Sequence, residues 1–238
     1  MLKEFAQYLQ SLKENQTYDI HGDIYSDEKL VRIAPHVARP SSIKVTGLDS
    51  VVKLVKNELD VFDNLPLFIR VDGPRKVSVF TTYDSEMKRD DLYEAACDVP
   101  DFQEGFRGHE KSIIELRSRF APGEGVDYLL ELLSRMSKEN GVTTNDNGVS
   151  QTVEARTGVS LKQMVAVKPR VVLCPYRTFT EVEQPESEFL LRLDDDGNVG
   201  LFEADGGMWK MDAKVRICNY FEDRLSDQIS AGQVVVMM

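Results

Sequence analysis

The sequence has few of the residues on which most metal and redox sites depend. Its 238 residues include three cysteines and three histidines. The cysteines are too far apart for a zinc knuckle, and their odd number is typical of reduced thiols rather than of a disulfide framework. His109-Glu110 lacks the second histidine, four positions on, that a zinc protease helix needs. We therefore expect no metal site and no cofactor.

Long apolar runs and an excess of positive charge are also missing. The chain has no 18-residue apolar stretch, and residues 1–12 carry lysine and glutamate, so we expect neither a membrane span nor a signal peptide. Together with reduced thiols, this predicts a cytoplasmic protein. With 40 acidic and 29 basic residues the net charge is −11, which disfavours duplex DNA binding over a broad surface. A small local basic patch is still compatible with this charge.

Several catalytic and nucleotide-binding motifs are absent as well. Gly123-Glu124-Gly125 precedes a helical pattern but lacks the third glycine of a dinucleotide loop. Neither a Gly-x-Ser-x-Gly elbow nor a Gly-Lys-Ser/Thr phosphate loop occurs. Residues 192–203 match a calcium loop at four positions, but position 1 is Arg192, which cannot be a ligand. We therefore interpret the acidic stretch 194–198 as a hairpin turn.

The spacing of the apolar residues predicts an α+β fold. Helical spacing occurs in residues 1–12 and after Gly47, where Asp49 or Ser50 can cap the helix. Two further helical patterns on either side of residues 122–125 predict a helical hairpin, with Asp127 as an N-cap. The same reasoning predicts a charged helix over residues 85–96 and strands over residues 17–20, 30–34, 41–46, 67–71 and 77–81.

From residue 140 onward, apolar and polar residues alternate with period two. This pattern predicts a multi-stranded antiparallel sheet that includes a hairpin of residues 188–193 with 199–202. A helix over residues 209–225 and an apolar strand over 234–236 follow. We divide the chain into a mixed half, 1–139, and a β-rich half, 140–238, within one compact unit.

The most distinctive polar and aromatic side chains lie between residues 170 and 209. Three arginines occur among carboxylates, and the simplest interpretation is a set of ion pairs, with Glu181, Glu183 or Glu203 as the partner of Arg177. The aromatic residues suit a packed corner or a subunit contact. No catalytic role is assigned. The candidate ligand or interface residues are Arg170, Tyr176, Arg177, Phe179, Glu181, Glu183, Arg192, Glu203, Asp205 and Trp209.

Three strings stand out in this region: Pro175-Tyr176-Arg177-Thr178-Phe179, Glu181-Val182-Glu183-Gln184-Pro185-Glu186-Ser187-Glu188-Phe189, and Leu201-Phe202-Glu203-Ala204-Asp205-Gly206-Gly207. Together with Gly148-Val149-Ser150-Gln151 and the Thr157-Gly158 turn, they resemble the signature of the YfdQ-like family of phage and prophage proteins, a domain family of unknown function. The resemblance implies a bacterial host and a phage early or DNA-metabolism setting, without a catalytic motif. The two glycines after Asp205 predict a tight corner between a strand and the next helix.

Three functional hypotheses of different class follow from these features. The first is a non-catalytic phage accessory protein that self-assembles into a homo-oligomer, because the apolar string Val234–Met238 needs either a partner surface or a place in the protein's own sheet. The alternative is a binder of a nucleotide or nucleic-acid partner in phage recombination or evasion of host defence. Its phosphate contacts would be Arg170, Arg177 and Arg192. A hydrolase that uses the carboxylates between Glu181 and Glu203 is the third hypothesis.

Overall fold

The computed structural model describes residues 2–11, 17–26, 32–33, 39–62, 65–136, 144–146, 151–157 and 161–238. It divides into two compact units, Met1–Pro40 and Ser41–Met238. Helices and sheets alternate along the chain, so the predicted α+β class is confirmed. The predicted division between residues 139 and 140 falls outside the described residues.

The described residues of the first unit form one helix and one small sheet. The helix predicted near the N-terminus is confirmed, as is the strand over residues 17–20, whereas the second strand was not predicted. The predicted strand over residues 30–34 is described only at its centre. These elements are α1 (Leu2–Ser11), β1 (Thr17–Ile20), β2 (Asp23–Ser26) and β3 (Arg32–Ile33). The strands pair in the antiparallel order β1-β2-β3.

The second unit contains the larger sheets and the remaining described helices. In chain order its elements are β4 (Ile43–Val45), α2 (Leu48–Glu58) with a 3-10 turn (Leu59–Phe62), β5 (Leu67–Gly73), β6 (Lys76–Phe80), β7 (Asp91–Ala96), β8 (Gly105–Arg107), α3 (His109–Arg119), α4 (Glu124–Arg135), β9 (Thr144–Asp146), β10 (Gln151–Thr157), β11 (Leu161–Val167), β12 (Arg170–Leu173), β13 (Ser187–Leu193), β14 (Val199–Glu203), α5 (Trp209–Arg224), α6 (Ser226–Ser230) and β15 (Val234–Met237).

A five-stranded sheet in the order β15-β5-β6-β7-β4 forms the first layer. The predicted hairpin of β5 and β6 is confirmed as antiparallel, whereas β15 and β4 pair in parallel with β5 and β7. Val51 and Val55 of α2 and Ile217 and Phe221 of α5 are fully buried against this sheet, as their helical spacing predicts. The C-terminal strand therefore adds to the protein's own sheet.

The prediction of a helix over residues 85–96 is wrong. Residues Asp91–Ala96 form β7, which lies between β6 and β4. Residues 84–88 form a turn instead, in which the Asp84 carboxylate accepts hydrogen bonds from the backbone N–H groups of Glu86 and Lys88 at 2.8 Å each. Leu92, Tyr93 and Ala95 are at most 3% exposed, so pairing on both sides and burial override the helical propensity of this charged stretch.

A four-stranded antiparallel sheet in the order β12-β13-β14-β8 forms the second layer. The predicted helical hairpin, α3 and α4, packs on one face of it, where Leu116 and Leu129 meet Phe189 and Leu191. The predicted hairpin of β13 and β14 is also confirmed. Of the strands after residue 140, three belong to this sheet, three form a smaller sheet in the order β11-β10-β9, and β15 belongs to the five-stranded sheet.

The predicted helix caps are wrong at two positions. α2 begins after Gly47 and α4 after Gly123, and among the described residues neither helix has a side-chain cap hydrogen bond. Asp49 and Asp127 instead lie inside the first turns, where a carboxylate favours the positive end of the helix dipole. The predicted turn at Thr157-Gly158 lies partly outside the described residues, although β10 and β11 pair as an antiparallel hairpin.

Candidate functional site

Arg177 lies on the segment that connects β12 to β13, and the side chain of Gln184 fixes this segment. The Oε1 of Gln184 accepts hydrogen bonds from the backbone N–H groups of Arg177, at 2.9 Å, and Thr178, at 3.1 Å. Its Nε2 donates to the Phe179 carbonyl at 3.0 Å. Phe179 is 1% exposed and packs with α2 and α5. With Phe179 anchored there, the Arg177 side chain reaches residues of β13 and β14.

The guanidinium of Arg177 is enclosed by an ion pair, a hydroxyl group and an indole ring. Its Nη1 donates to Oε1 of Glu203 at 2.7 Å, and its Nη2 donates to Oγ of Ser187. Its Cζ lies 4.0 Å from the ring centroid of Trp209, and the side chain is 1% exposed. Burial lowers the pKa of Arg177, and the charges of Glu203 and Asp205 oppose this shift. We call Arg177, Ser187, Glu203, Asp205 and Trp209 the Arg177 centre.

Asp205 holds the corner between β14 and α5. Its carboxylate accepts hydrogen bonds from the Ser187 hydroxyl at 2.6 Å and from the backbone N–H groups of Gly207 and Trp209 at 2.9 and 3.2 Å. Burial acts to raise the pKa of Asp205, but these hydrogen bonds outweigh it and the pKa lies below its ordinary value. Gly206 and Gly207 have φ angles of 64° and 80°, so the predicted glycine corner is confirmed.

A cavity of about 390 Å³ opens beside the Arg177 centre. The Nε of Arg177 is buried and has no hydrogen-bond partner among the residues that the structure describes, so the guanidinium is not fully satisfied by them. Cationic and anionic side chains share the lining, and among its described residues none is a hydroxyl or thiol nucleophile or a histidine. The charged lining suits a polar group. It is lined by Pro74, Arg75, Asp101, Phe102, Glu104, Arg177, Glu203, Trp209 and Lys210.

Glu181 and Glu183 do not join the Arg177 centre. Oε1 of Glu181 lies 3.5 Å from the Asp49 backbone nitrogen, at the start of α2, where the helix dipole favours a negative charge. Glu183 is exposed and pairs with Arg216 of α5 at 2.7 Å. Of the three predicted partners of Arg177, the structure therefore selects Glu203. The carboxylates that the hydrolase hypothesis requires are engaged in separate contacts.

Arg170 and Arg192 lie on the exposed side of the four-stranded sheet. Arg170 is opposite Leu190 and pairs with Glu188 at 2.6 Å, and Arg192 is two residues beyond Leu190. Arg177 contacts the other side of this sheet, so the expectation that the three arginines act on one ligand is corrected. Tyr176 is 41% exposed, and its backbone N–H donates to the Arg119 carbonyl at 2.9 Å.

The acidic stretch 194–198 is the turn between β13 and β14. The Asp194 carboxylate accepts hydrogen bonds from the backbone N–H groups of Asp196, at 3.1 Å, and Asn198, at 2.8 Å, and from the Asn198 side chain at 2.8 Å. The turn itself therefore takes up both carboxylate oxygens. Among the described residues, no three His, Cys, Asp or Glu side chains are arranged to hold a metal ion.

Sequence reasoning missed Ser187 and Gln184 as members of this network. Ser187 occupies the first inward position of β13 and lies on the same face of the strand as the buried Phe189 and Leu191. A polar residue at an apolar position of the alternating pattern is the signal that points to it. Gln184 has no comparable signal, because its contacts depend on the conformation of the connecting segment.

In the part of the chain that the structure describes, no helix combines the length and the apolar character needed to cross a bilayer. No protein-family model matches the sequence, and neither a curated protein nor a solved structure matches it. The resemblance to the YfdQ-like family therefore stays a prediction.

Proposed function

We propose that the chain is a phage or prophage-encoded accessory protein of the YfdQ-like family, which acts without catalysis in the cytoplasm of its bacterial host and self-assembles into a homo-oligomer. The three strings within residues 175–207 support the family and its setting. Their polar side chains support a non-catalytic role, because Arg177, Glu203 and Asp205 are used in contacts within the fold. A general acid or base would need such a group to face a substrate.

The edge position of β15 is the observation that carries the proposed assembly. β15 is the outermost strand of the five-stranded sheet, and within the described residues no strand pairs with its other side. Val234–Met237 contains no charged residue and no proline, which are the usual protections of an edge strand. Val235 is 38% exposed and Met238 is 56% exposed. A second copy can extend the sheet by antiparallel pairing of the two β15 strands about a two-fold axis.

The hydrogen-bond directions identify which groups of β15 a second copy would use. The Leu67 N–H donates to the Gln233 carbonyl at 2.9 Å, and Val234 is the register partner of Leu67. In a parallel ladder with this register, the N–H and C=O of Val235 face β5, and those of Val236 face outward. Removing the Val236 N–H therefore changes the open edge and leaves the bonds with β5 in place.

Sedimentation velocity of the full-length chain tests this proposal. We expect the wild type to sediment at a multiple of its 27.0 kDa mass. Val236→Pro should be monomeric with an unchanged circular dichroism spectrum, because proline is tolerated on a strand edge. Val236→Ala keeps the N–H and is the matched control, which should remain oligomeric. A monomeric wild type, or a folded Val236→Pro variant that stays oligomeric, would overturn the proposal.

A nucleotide or nucleic-acid partner in phage recombination or evasion of host defence is the second candidate function, and a different surface favours it. Arg170 and Arg192 lie on the same exposed sheet side as Phe106, which is 45% exposed. Arginine and aromatic side chains together are typical of contacts with phosphates and bases. The ultraviolet absorbance ratio of the purified protein tests this candidate, because a co-purified nucleic acid raises it.

A further inference from the structure

The four-stranded sheet has an exposed side opposite its core. Alternate residues of a strand point to opposite faces, so Phe189 and Leu191 pack on α3 and α4 while Leu190 and Arg192 point outward. The register of the neighbouring strands places further side chains on the outward side. We define the outer face as Phe106, Arg170, Val172, Leu190, Arg192 and Phe202.

Phe106 and Phe202 form an aromatic pair on the outer face. Their ring centroids are 5.7 Å apart, and the rings meet edge to face at 74°. Gly200 is the register partner of Phe106, and a Cβ there would lie 2.8 Å from Phe106 Cε1 and 2.9 Å from Phe202 Cε2. The missing side chain lets both rings lie over the strand. Exposed aromatic surface on a sheet is the type of platform on which unpaired bases stack.

Two arginines flank the aromatic pair. Arg170 on β12 is the register partner of Leu190 on β13, and Leu190 is the register partner of Phe202 on β14. Arg192 on β13 is the register partner of Gly200 on β14. Strands in a sheet are about 4.8 Å apart, so both long side chains can reach a phosphate beside a base stacked on the rings. The Arg170 and Glu188 side chains are 59% and 38% exposed. An ion pair so exposed is weak and can exchange its carboxylate for a phosphate.

We propose that the outer face binds single-stranded nucleic acid, with bases stacked on Phe106 and Phe202 and phosphates on Arg170 and Arg192. This inference rests on the second candidate function and not on assembly through β15. A single strand fits better than a duplex, because the faces of paired bases are covered by their neighbours. Duplex binding would also need a broad basic surface, whereas this chain carries a net charge of −11.

Fluorescence anisotropy with a labelled oligothymidylate tests the proposal, and the same strand annealed to its complement is the comparison. We expect binding of the single strand and none of the duplex. Phe106→Ala should weaken binding by about 5- to 150-fold, which is the effect of losing one stacked base. Ile114→Ala is the matched control, because Ile114 is 60% exposed on α3, away from the outer face, and should leave binding unchanged.

Charge variants give a second readout that does not depend on the aromatic pair. Arg170→Gln should weaken binding and reduce the slope of log K against log salt concentration by about 0.7, the value for one phosphate of a single strand. Glu188→Gln should strengthen binding, because it removes the carboxylate that competes for Arg170.

The outcomes separate this inference from the proposed assembly. Absence of single-strand binding by the folded wild type overturns it, as does a Phe106→Ala variant that binds as tightly as the wild type. If Phe106→Ala instead lowers the sedimentation mass and no oligonucleotide binds, the outer face is an interface between copies and the inference is wrong. The Val236→Pro variant bears on assembly alone, so its result leaves the oligonucleotide measurement intact.

Discussion

Replacing Arg177 with alanine measures how strongly the Arg177 centre stabilises the fold. The substitution removes the ion pair with Glu203, the hydrogen bond to Ser187 and the stacking on Trp209. Removing one partner of a buried ion pair costs about 3–5 kcal/mol. The Glu203 side chain is 25% exposed, so hydration recovers part of this cost. We therefore expect the free energy of unfolding to fall by about 2–4 kcal/mol.

Arg170→Ala is the matched control for this measurement. The Nη1 of Arg170 lies 2.6 Å from Oε2 of Glu188, nearly the same as the 2.7 Å between Arg177 and Glu203, but the Arg170 side chain is 59% exposed whereas that of Arg177 is 1% exposed. Exposed ion pairs contribute about 0.2–1 kcal/mol. Urea unfolding followed by far-ultraviolet circular dichroism gives the free energy of unfolding for both variants, and the slope with urea should be the same in each.

Equal losses of stability in the two variants would refute the argument, because burial would then not set the energy of the pair. The sequence contains a single tryptophan, so intrinsic fluorescence offers an independent check. Trp209 is 7% exposed beneath the Arg177 guanidinium, and its emission should change in Arg177→Ala and remain as in the wild type in Arg170→Ala. An unchanged emission in Arg177→Ala would contradict the stacked geometry.

Three further measurements test other parts of the structure. Gly125→Ala should lower the melting temperature, because the added Cβ would lie 2.0 Å from the Val172 carbonyl oxygen, whereas Gly123→Ala meets nothing within 4 Å and should have little effect. Because the pKa of Asp205 is lowered in the folded state, the ionised carboxylate stabilises the fold above the ordinary carboxyl pKa, and this stability is lost as the pH falls through the lowered pKa. In Asp205→Asn the free energy of unfolding, measured with urea between about pH 2 and pH 6, should therefore fall less steeply with acid than in the wild type. Deletion of residues 234–238 should reduce the melting temperature, since Val234 is 1% exposed, and an unchanged value would contradict the place of β15 in the five-stranded sheet.

The helices and the local hairpins could be predicted because their signals are short-range. Apolar residues three and four apart lie on one face of a helix whatever the rest of the chain does, which is why most of the buried residues of α2 and α5 follow the helical spacing. Leu48 and Cys218 are also buried, although the spacing did not predict them. Period-two alternation and a turn between adjacent runs likewise predicted the pairs β5 with β6 and β13 with β14.

Sheet membership could not be predicted in the same way. β15 pairs with β5, and β8 pairs with β14, although neither pair is close in the sequence. Residues 91–96 form a strand because β6 and β4 supply hydrogen-bonding partners on both sides, and no local pattern contains that information. Backbone groups are identical along the chain, so tertiary packing decides which strands meet.

The same distinction between local signals and tertiary packing applies to the candidate site residues. The sequence by itself determined that Arg177 should have a carboxylate partner and that two glycines should turn the chain before Trp209, because charge and backbone freedom belong to individual residues. Only the tertiary structure decided that the partner is Glu203 and that Arg170 and Arg192 face the opposite side of the sheet. In the sequence, every nearby carboxylate is an equally good partner for Arg177. The distances and the burial that select one of them exist only after the strands have packed.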